Sequence, residues 1–376
     1  MPLILTGTSA STTLDSSAGL TFSDSSNQSA AASPFGLKNR IINGDMAINQ
    51  RSFSGTAVDA TYSLDRWLTF STSASRFTIS QSSIAPAGFI NSLLITSSSA
   101  YTPSASDEFG VSQLIEGLNV SDLGWGTANA QTVTLSFWVR SSVTGTFGGS
   151  IGNSGYGRSY PFSYTINSAN TWEKETITIP GDTSGTWLTT NGVGIRLRLT
   201  IGAGSTYQGP ANAWSNTFYD TVTGATNLVS TNGATFYITG VQLERNTTAT
   251  PFEWIPYGLE LALCQRYYYK IQATAADSPF SMGSVTTTTI ADIIVPFPVS
   301  MRTNPTALEQ TGTAGDYRVR TGITDTVCSA VPTLINVATT TTSQVRFTVA
   351  SGLTVGNAAI GRSVNSSAYL GWSAEL

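Results

Sequence analysis

Apolar and polar residues alternate one by one along much of this chain. In VTLSFWVRSS, Val133, Leu135, Phe137 and Val139 fall on one side of an extended backbone, and Thr134, Ser136, Trp138 and Arg140 on the other. VGIRLRLTIG repeats the pattern, with Val193, Ile195, Leu197, Leu199 and Ile201 opposite Arg196, Arg198 and Thr200. RFTIS, ETITIP and TFYITGVQL continue it. A period of two with one polar side predicts antiparallel sheets, each with one face turned to a core. The spacing of these runs between Asn39 and about Pro256 favours a sandwich.

One stretch breaks the period. Leu259, Leu263 and Tyr267 are spaced as one stripe of a helix, and Leu261, Cys264 and Tyr268 as a second, with Pro256 where a helix start tolerates proline. Residues 257–270 are therefore predicted as a short connecting helix, apolar around most of its circumference. Too short to form a core, it is expected to pack between domains or between identical chains. Beyond it, IADIIVPFPV, YRVRTG, TLINVAT, QVRFTVASG and AYLGWSAEL predict a second β domain over 271–376, expected as a β-sandwich. Pro296 and Pro298 mark a strand end or an edge. Residues 1–38 are polar and low in charge, and cannot bury a core alone. Leu20 and Phe22 alternate with Thr21 and Ser23 as one short strand, and the segment reads as an arm ordered in an assembly.

Composition narrows the function classes. The chain has 376 residues, long enough for two to three domains. Only 11% are charged, against about 25% in ordinary soluble domains, while Ser, Thr and Gly abound. Hydroxyl side chains can cover strand faces without charge, as suits an extracellular or virion β protein. A net charge of -4 argues against a phosphate-binding surface, so nucleic acid is not an expected partner. No stretch approaches the about 18 apolar residues of a membrane span, and MPLILTGTSAST lacks the features of a signal peptide. Membrane insertion and Sec export are not expected. There is no histidine, which removes His-based triads and the usual zinc sites. Cys264 and Cys328 cannot make a disulfide framework and read as buried thiols.

At this point the residues carry a resemblance. NRIINGDMAINQR at Asn39 to Arg51, YSLDRW at Tyr62 to Trp67, SFWVRSS, TIPGDTSGTW, and GVQLERNTTATPFEWIPYGLELALCQRYYYK at Gly240 to Lys270 together resemble a module of bacteriophage tail-fibre and related virion proteins. That module is similar to the jelly-roll carbohydrate-binding modules of secreted glycosidases. GLTFSDSSNQSAAAS is similar to segments of phage fibre shafts, and SAYLGWSAEL resembles how such fibres end. The resemblance implies an all-β homotrimer: an antiparallel jelly-roll sandwich over 39–256, and a β-rich tip joined to it by the short helix. Leu259, Leu263 and Tyr267 would then lie at a three-chain junction. It also implies a structural calcium held by Asn43, Asp45 and Glu244, although Ala47 stands where the family has an acid; otherwise these side chains bond backbone at a strand end.

Candidate chemistry follows from residue types. Sugars are bound by aromatic rings against their C–H faces and by planar donors to their hydroxyls. Trp138, Arg140, Arg196 and Arg198 could share one polar sheet face and supply both; the same face could instead be a subunit interface or plain solvated surface. Tyr156, Arg158, Tyr160 and Trp214 lie in expected loops, as a second binding candidate or as rings capping the sandwich ends. Glycoside hydrolysis needs two carboxylates across a cleft. Glu173 and Glu175 have the spacing, but Lys174 lies between them and exposed strand charge accounts for them better.

The expected function is thus a non-enzymatic phage fibre without a cofactor. It would bind a host surface glycan or receptor, work on the virion after assembly in the host cytoplasm, and attach to other virion proteins through residues 1–38. The alternative is a structural virion component such as a head fibre, decoration or connector protein.

Overall fold

The computed structural model describes residues 37–335 and 338–376, and in the N-terminal segment the backbone of two short strands, β1 (Leu20–Thr21) and β2 (Asn27–Gln28). These pair antiparallel, Leu20 opposite Gln28. The rest of the expected arm, including Phe22 and Ser23, lies outside the described residues. Residues 1–38 form one unit and 39–376 another.

In the larger unit the alternating runs become strands. They are β3 (Ser54–Thr56), β4 (Leu68–Ser71), β5 (Phe77–Ser82), β6 (Ser92–Ser97), β7 (Glu108–Glu116), β8 (Val133–Ser141), β9 (Gly145–Gly152), β10 (Ser159–Ile166), β11 (Glu173–Ile179), β12 (Val193–Ala203), β13 (Gln208–Gly209), β14 (Thr221–Val222) and β15 (Thr235–Glu244). Two antiparallel sheets result, in the orders β10-β9-β12-β7-β4 and β11-β8-β15-β6-β5-β3, and form a jelly-roll sandwich. Val133, Leu135, Phe137 and Val139 of one sheet are fully buried, as are Leu197, Leu199 and Ile201 of the other. They share a core with Phe147, Phe162 and Phe236. Each such side chain contributes roughly 1.5–3 kcal/mol by leaving water. The outermost strand β11 carries Glu173, Lys174 and Glu175, charges that discourage edge-to-edge association.

One bulge shapes the second sheet. In β15 the register against β8 shifts between Thr239 and Gln242, with Gly240 at φ 62°. A Cβ there would enter the ring of Phe89 at 2.7 Å, so only glycine fits both the dihedral and the space.

The helix α1 spans Tyr257–Gln265 and is followed at once by β16 (Tyr268–Gln272). Cys264 and Tyr267 are buried against Ile42 and Ile48, with Leu261, Leu263 and Leu376 packed alongside. The helix is therefore held within a single chain, by the start of the sandwich and by Leu376.

The C-terminal region departs from the expected sandwich. Its strands are β17 (Pro279–Thr287), β18 (Ile290–Pro296), β19 (Tyr317–Thr321), β20 (Thr324–Ile335), β21 (Thr342–Val349), β22 (Ala358–Ser363) and β23 (Tyr369–Ser373). Six of them close into a barrel, β17-β18-β21-β20-β19-β22, while β23 leaves it to pair with β16. Closure follows from β17 and β22 pairing with each other as well as with β18 and β19. Alternation reports one buried face per strand but not whether the end strands meet, which is why a barrel and a sandwich read alike in sequence. Val319, Val345, Phe347 and Trp372 lie in its core.

Candidate functional site

The four residues expected on one polar face lie on two. Trp138 and Arg140 are in β8 of the six-stranded sheet; Arg196 and Arg198 are in β12 of the five-stranded sheet. Parity set which side of its strand each occupies, and the assignment of strands to sheets separated the pairs. Arg140 donates to the Asn170 carbonyl at 2.9 Å, and its guanidinium lies 5.2 Å from the Tyr237 ring centroid. Arg198 is buried between Glu108 and Asp220, 2.7 Å from the Asp220 carboxylate, and over the Phe70 ring. Arg196 stacks 4.4 Å from the ring centroid of Tyr156, the exposed member of the loop group.

Tyr160 is buried in the sandwich core, and Trp214 packs against it, its indole N–H donated to the Pro180 carbonyl. Trp125, Trp187 and Trp214 meet edge to face, with centroids 4.7 to 5.6 Å apart, while Arg158 is held by Asp182 beside them. These rings close one end of the sandwich.

Of the junction candidates, Leu259 is exposed and Leu263 half-buried within the chain. Tyr267 is fully buried in its own chain and is corrected as an interface residue. Its ring lies 3.6 Å under the Arg66 guanidinium, and its hydroxyl donates to Glu116 at 2.6 Å. Burial holds that phenol protonated by pushing its pKa upward.

The implied calcium does not fit its residues. The Asn43 amide is consumed by Ile48 and Asp65, and Glu244 accepts the Thr250 N–H and hydroxyl, both at 2.8 Å. Among the described residues no cluster of three or more acidic, cysteine or histidine side chains could hold a metal ion.

A site that composition and motifs did not reveal lies where sandwich and barrel meet. Residues Arg51, Phe53 and Ala60 to Tyr62 of the sandwich face Tyr268, Lys270, Glu309, Tyr369 and Ser373 across a cleft of about 400 Å³. Its floor is the two-stranded ribbon of β16 and β23, in which Tyr268 opposes Ser373 and Lys270 opposes Gly371. The period of two sends Tyr268 and Lys270 to the cleft and Tyr269 and Ile271 to the barrel core, where Tyr269 stacks on Trp372. Gly371 has no side chain to give: a Cβ would come within 2.8 Å of the Tyr268 hydroxyl, which donates to Glu309 at 2.8 Å.

Cations and rings interleave around this space. The Arg51 guanidinium lies 3.6 Å from the Tyr268 ring centroid and 5.3 Å from that of Tyr62, and is anchored by Glu375 at 3.3 Å. The Lys270 ammonium sits 4.3 Å from the Tyr369 centroid. Desolvation lowers the Lys270 pKa, and the nearby Glu309 carboxylate opposes that. Burial pushes Tyr62 up to about 12, and desolvation also raises Tyr268 and Tyr369. All three phenols thus stay protonated at neutral pH and can donate hydrogen bonds.

No protein-family model matches the chain, and no curated protein matches it. Part of this chain is similar to solved structures, three of which illustrate the match. The enzymatically active domain of bacteriophage CBA120 tailspike protein 4 is 14% identical with a TM-score of 0.31, over 55% of this chain and 21% of that one. TmCBM61, solved with beta-1,4-galactotriose, is 11% identical with a TM-score of 0.29, over 56% of this chain and 100% of that one. The family 11 carbohydrate-binding module from Clostridium thermocellum, solved with a mixed-linked tetrasaccharide, is 16% identical with a TM-score of 0.26, over 51% of this chain and 95% of that one. Resemblances this distant carry no argument about ligand or activity, which the cleft itself has to bear.

The cleft was hidden because it draws on widely separated segments. Arg51 and Tyr62 lie inside the blocks NRIINGDMAINQR and YSLDRW, and Tyr369 inside SAYLGWSAEL. The one local signal was the shared parity of Tyr268 and Lys270.

Proposed function

We propose that this chain is a non-enzymatic appendage protein of a bacteriophage particle that binds a host surface glycan in the cleft between its sandwich and barrel. The observation that carries the proposal is the cleft lining: three protonated tyrosines, a fixed guanidinium, an ammonium and one carboxylate around about 400 Å³. Aromatic surface beside a few oriented donors and acceptors is the combination that recognises a sugar ring. The cleft is lined by a single carboxylate, Glu309, whereas glycoside hydrolysis uses two. Glu173 accepts N–H bonds from Asn167 and Ser168, which suits a brace for the turn that crosses from β10 to β11 and not an acid catalyst.

The proposal extends to assembly. Leu259, Tyr257 and Trp254 are exposed together around the start of α1, and a homotrimer seam there would cover them. Residues 1–38 would join other virion proteins, and three clefts per trimer would multiply a weak affinity.

The test is saturable binding of the purified protein to host cells before and after periodate oxidation of their glycans. Binding lost on oxidation, and weakened about tenfold or more by Tyr369→Ala, is expected. Binding indifferent to both treatments overturns the proposal. Total absence of binding would favour the structural virion component, a reading supported by the exposed cross-strand pair Met282 and Ile294 on the barrel exterior.

A further inference from the structure

We propose that the cleft selects a sugar bearing one carboxylate, such as a hexuronate, with Lys270 and Arg51 as partners of the anion. This rests on the glycan-binding reading of the same cleft.

The first observation is charge placement. In a chain of net charge -4, the cleft gathers two cations, Arg51 and Lys270, against one acid, Glu309. Arg51 has a carboxylate partner in Glu375, but among the described residues no carboxylate lies within ion-pair distance of Lys270. Its ammonium is half-buried on the face of Tyr369 instead. A half-buried ammonium that feels Glu309 and Asp65 only from beyond ion-pair distance is incompletely compensated, and burial already pulls Lys270 towards its neutral form. A ligand carboxylate entering the cleft would supply the missing partner.

The second observation is orientation. The Arg51 guanidinium is held against Tyr268 at 3.6 Å with Tyr62 at 5.3 Å, and one of its nitrogens is tied to Glu375. A guanidinium fixed in this way presents its remaining donors in a preset plane, the arrangement that fits a carboxylate or a pair of sugar hydroxyls. Glu309 sets the limit on charge. One of its oxygens takes the Tyr268 hydroxyl, and the other is an acceptor for a sugar O–H. The same carboxylate repels a second negative charge, which disfavours a phosphate monoester dianion.

The experiment is an array of neutral, carboxylated, sulfated and phosphorylated oligosaccharides, each carboxylated glycan printed beside its methyl ester, probed with the full-length protein and with Lys270→Met. The expected result is binding confined to carboxylated glycans. Esterification and Lys270→Met should each lower affinity about tenfold or more, and the wild-type affinity should fall as salt rises. Equal thermal midpoints establish that the variant is folded; should it not fold, the ester comparison on the wild type still decides. Binding to neutral, sulfated or phosphorylated glycans, or binding indifferent to esterification, overturns the carboxylate proposal and leaves glycan binding standing. No binding by the wild type to any glycan overturns both.

Discussion

Glu260 shows how one side chain can set the pH response of a junction. It lies buried on α1, accepts the Asn43 N–H, and faces Asp45 and Glu253. Desolvation, reinforced by those two carboxylates, pushes its pKa from 4.5 to about 7. Between those values the folded chain holds a proton that the unfolded chain releases, so stability falls as pH rises through this window. The contribution is complete below pH 4.5 and gone above about 7, a change on the order of 3 kcal/mol. Glu260→Gln keeps an acceptor for Asn43 and removes the titration. Urea denaturation at pH 5 and 7.5 should show the variant losing less stability than the wild type over that interval. Parallel losses would mean that Glu260 is solvated. None of this was legible from the residue type, because the sequence shows a glutamate on a helix but not the two acids that the fold brings beside it.

Among the elements, strands were the legible part. Val133 to Val139 and Ile195 to Ile201 alternate, and the alternating residues are buried as read. Sheet membership was not, since it depends on which distant strands pair, and this is what separated Trp138 from Arg196. The ribbon of β16 and β23 is a similar case: its partners are about a hundred residues apart in sequence and neither strand predicts the other. Its tightest point gives a test. Gly371→Val would drive a side chain into the Tyr268 hydroxyl, displacing the ring that backs Arg51. A stability loss of about 1–3 kcal/mol by denaturation is expected, with weakened glycan binding by calorimetry. For α1, Leu259→Asp is the cleaner probe of the proposed trimer than a change at Leu263, which packs inside the chain. The variant should keep the wild-type thermal midpoint of a single chain and sediment at one-third of the wild-type mass; an unchanged mass places the seam elsewhere.

At the scale of the whole larger unit, sandwich and barrel are fastened by the last three residues. The Ala374 N–H donates to the Tyr267 carbonyl at 2.7 Å, and Glu375 pairs with both Arg51 and the fully buried Arg66. Arg302, in the barrel segment, donates to the Ala374 and Glu375 carbonyls and to Asn191 of the sandwich. Glu375→Gln leaves the Arg66 charge buried without its counter-ion, and a loss of about 3–5 kcal/mol is expected in chemical denaturation. Replacing both partners, Arg66→Met with Glu375→Leu, should cost less than the single change. The same substitution frees Arg51 and should weaken binding in the cleft. That coupling explains why the site escaped a reading by motif: it exists only once Glu375 has closed on Arg51 and Arg66, more than three hundred residues before it.

The three consecutive tyrosines pose a problem of spelling. Tyr267 belongs under Arg66, Tyr268 in the cleft and Tyr269 against Trp372, yet the letters are identical, and a strand displaced by one residue would still deliver a tyrosine to most of these places. The residues on either side remove the ambiguity. A shift in one direction would carry Arg266 into the sealed position of Tyr267 and Lys270 into that of Ile271; a shift in the other would push Lys270 into the barrel in place of Tyr269. Each misalignment turns the Lys270 side chain towards the apolar barrel core, where its ammonium loses water without gaining a partner. Arg266 and Lys270 therefore act as bookends, and the lysine proposed to meet the ligand is also the mark by which the ribbon finds its place.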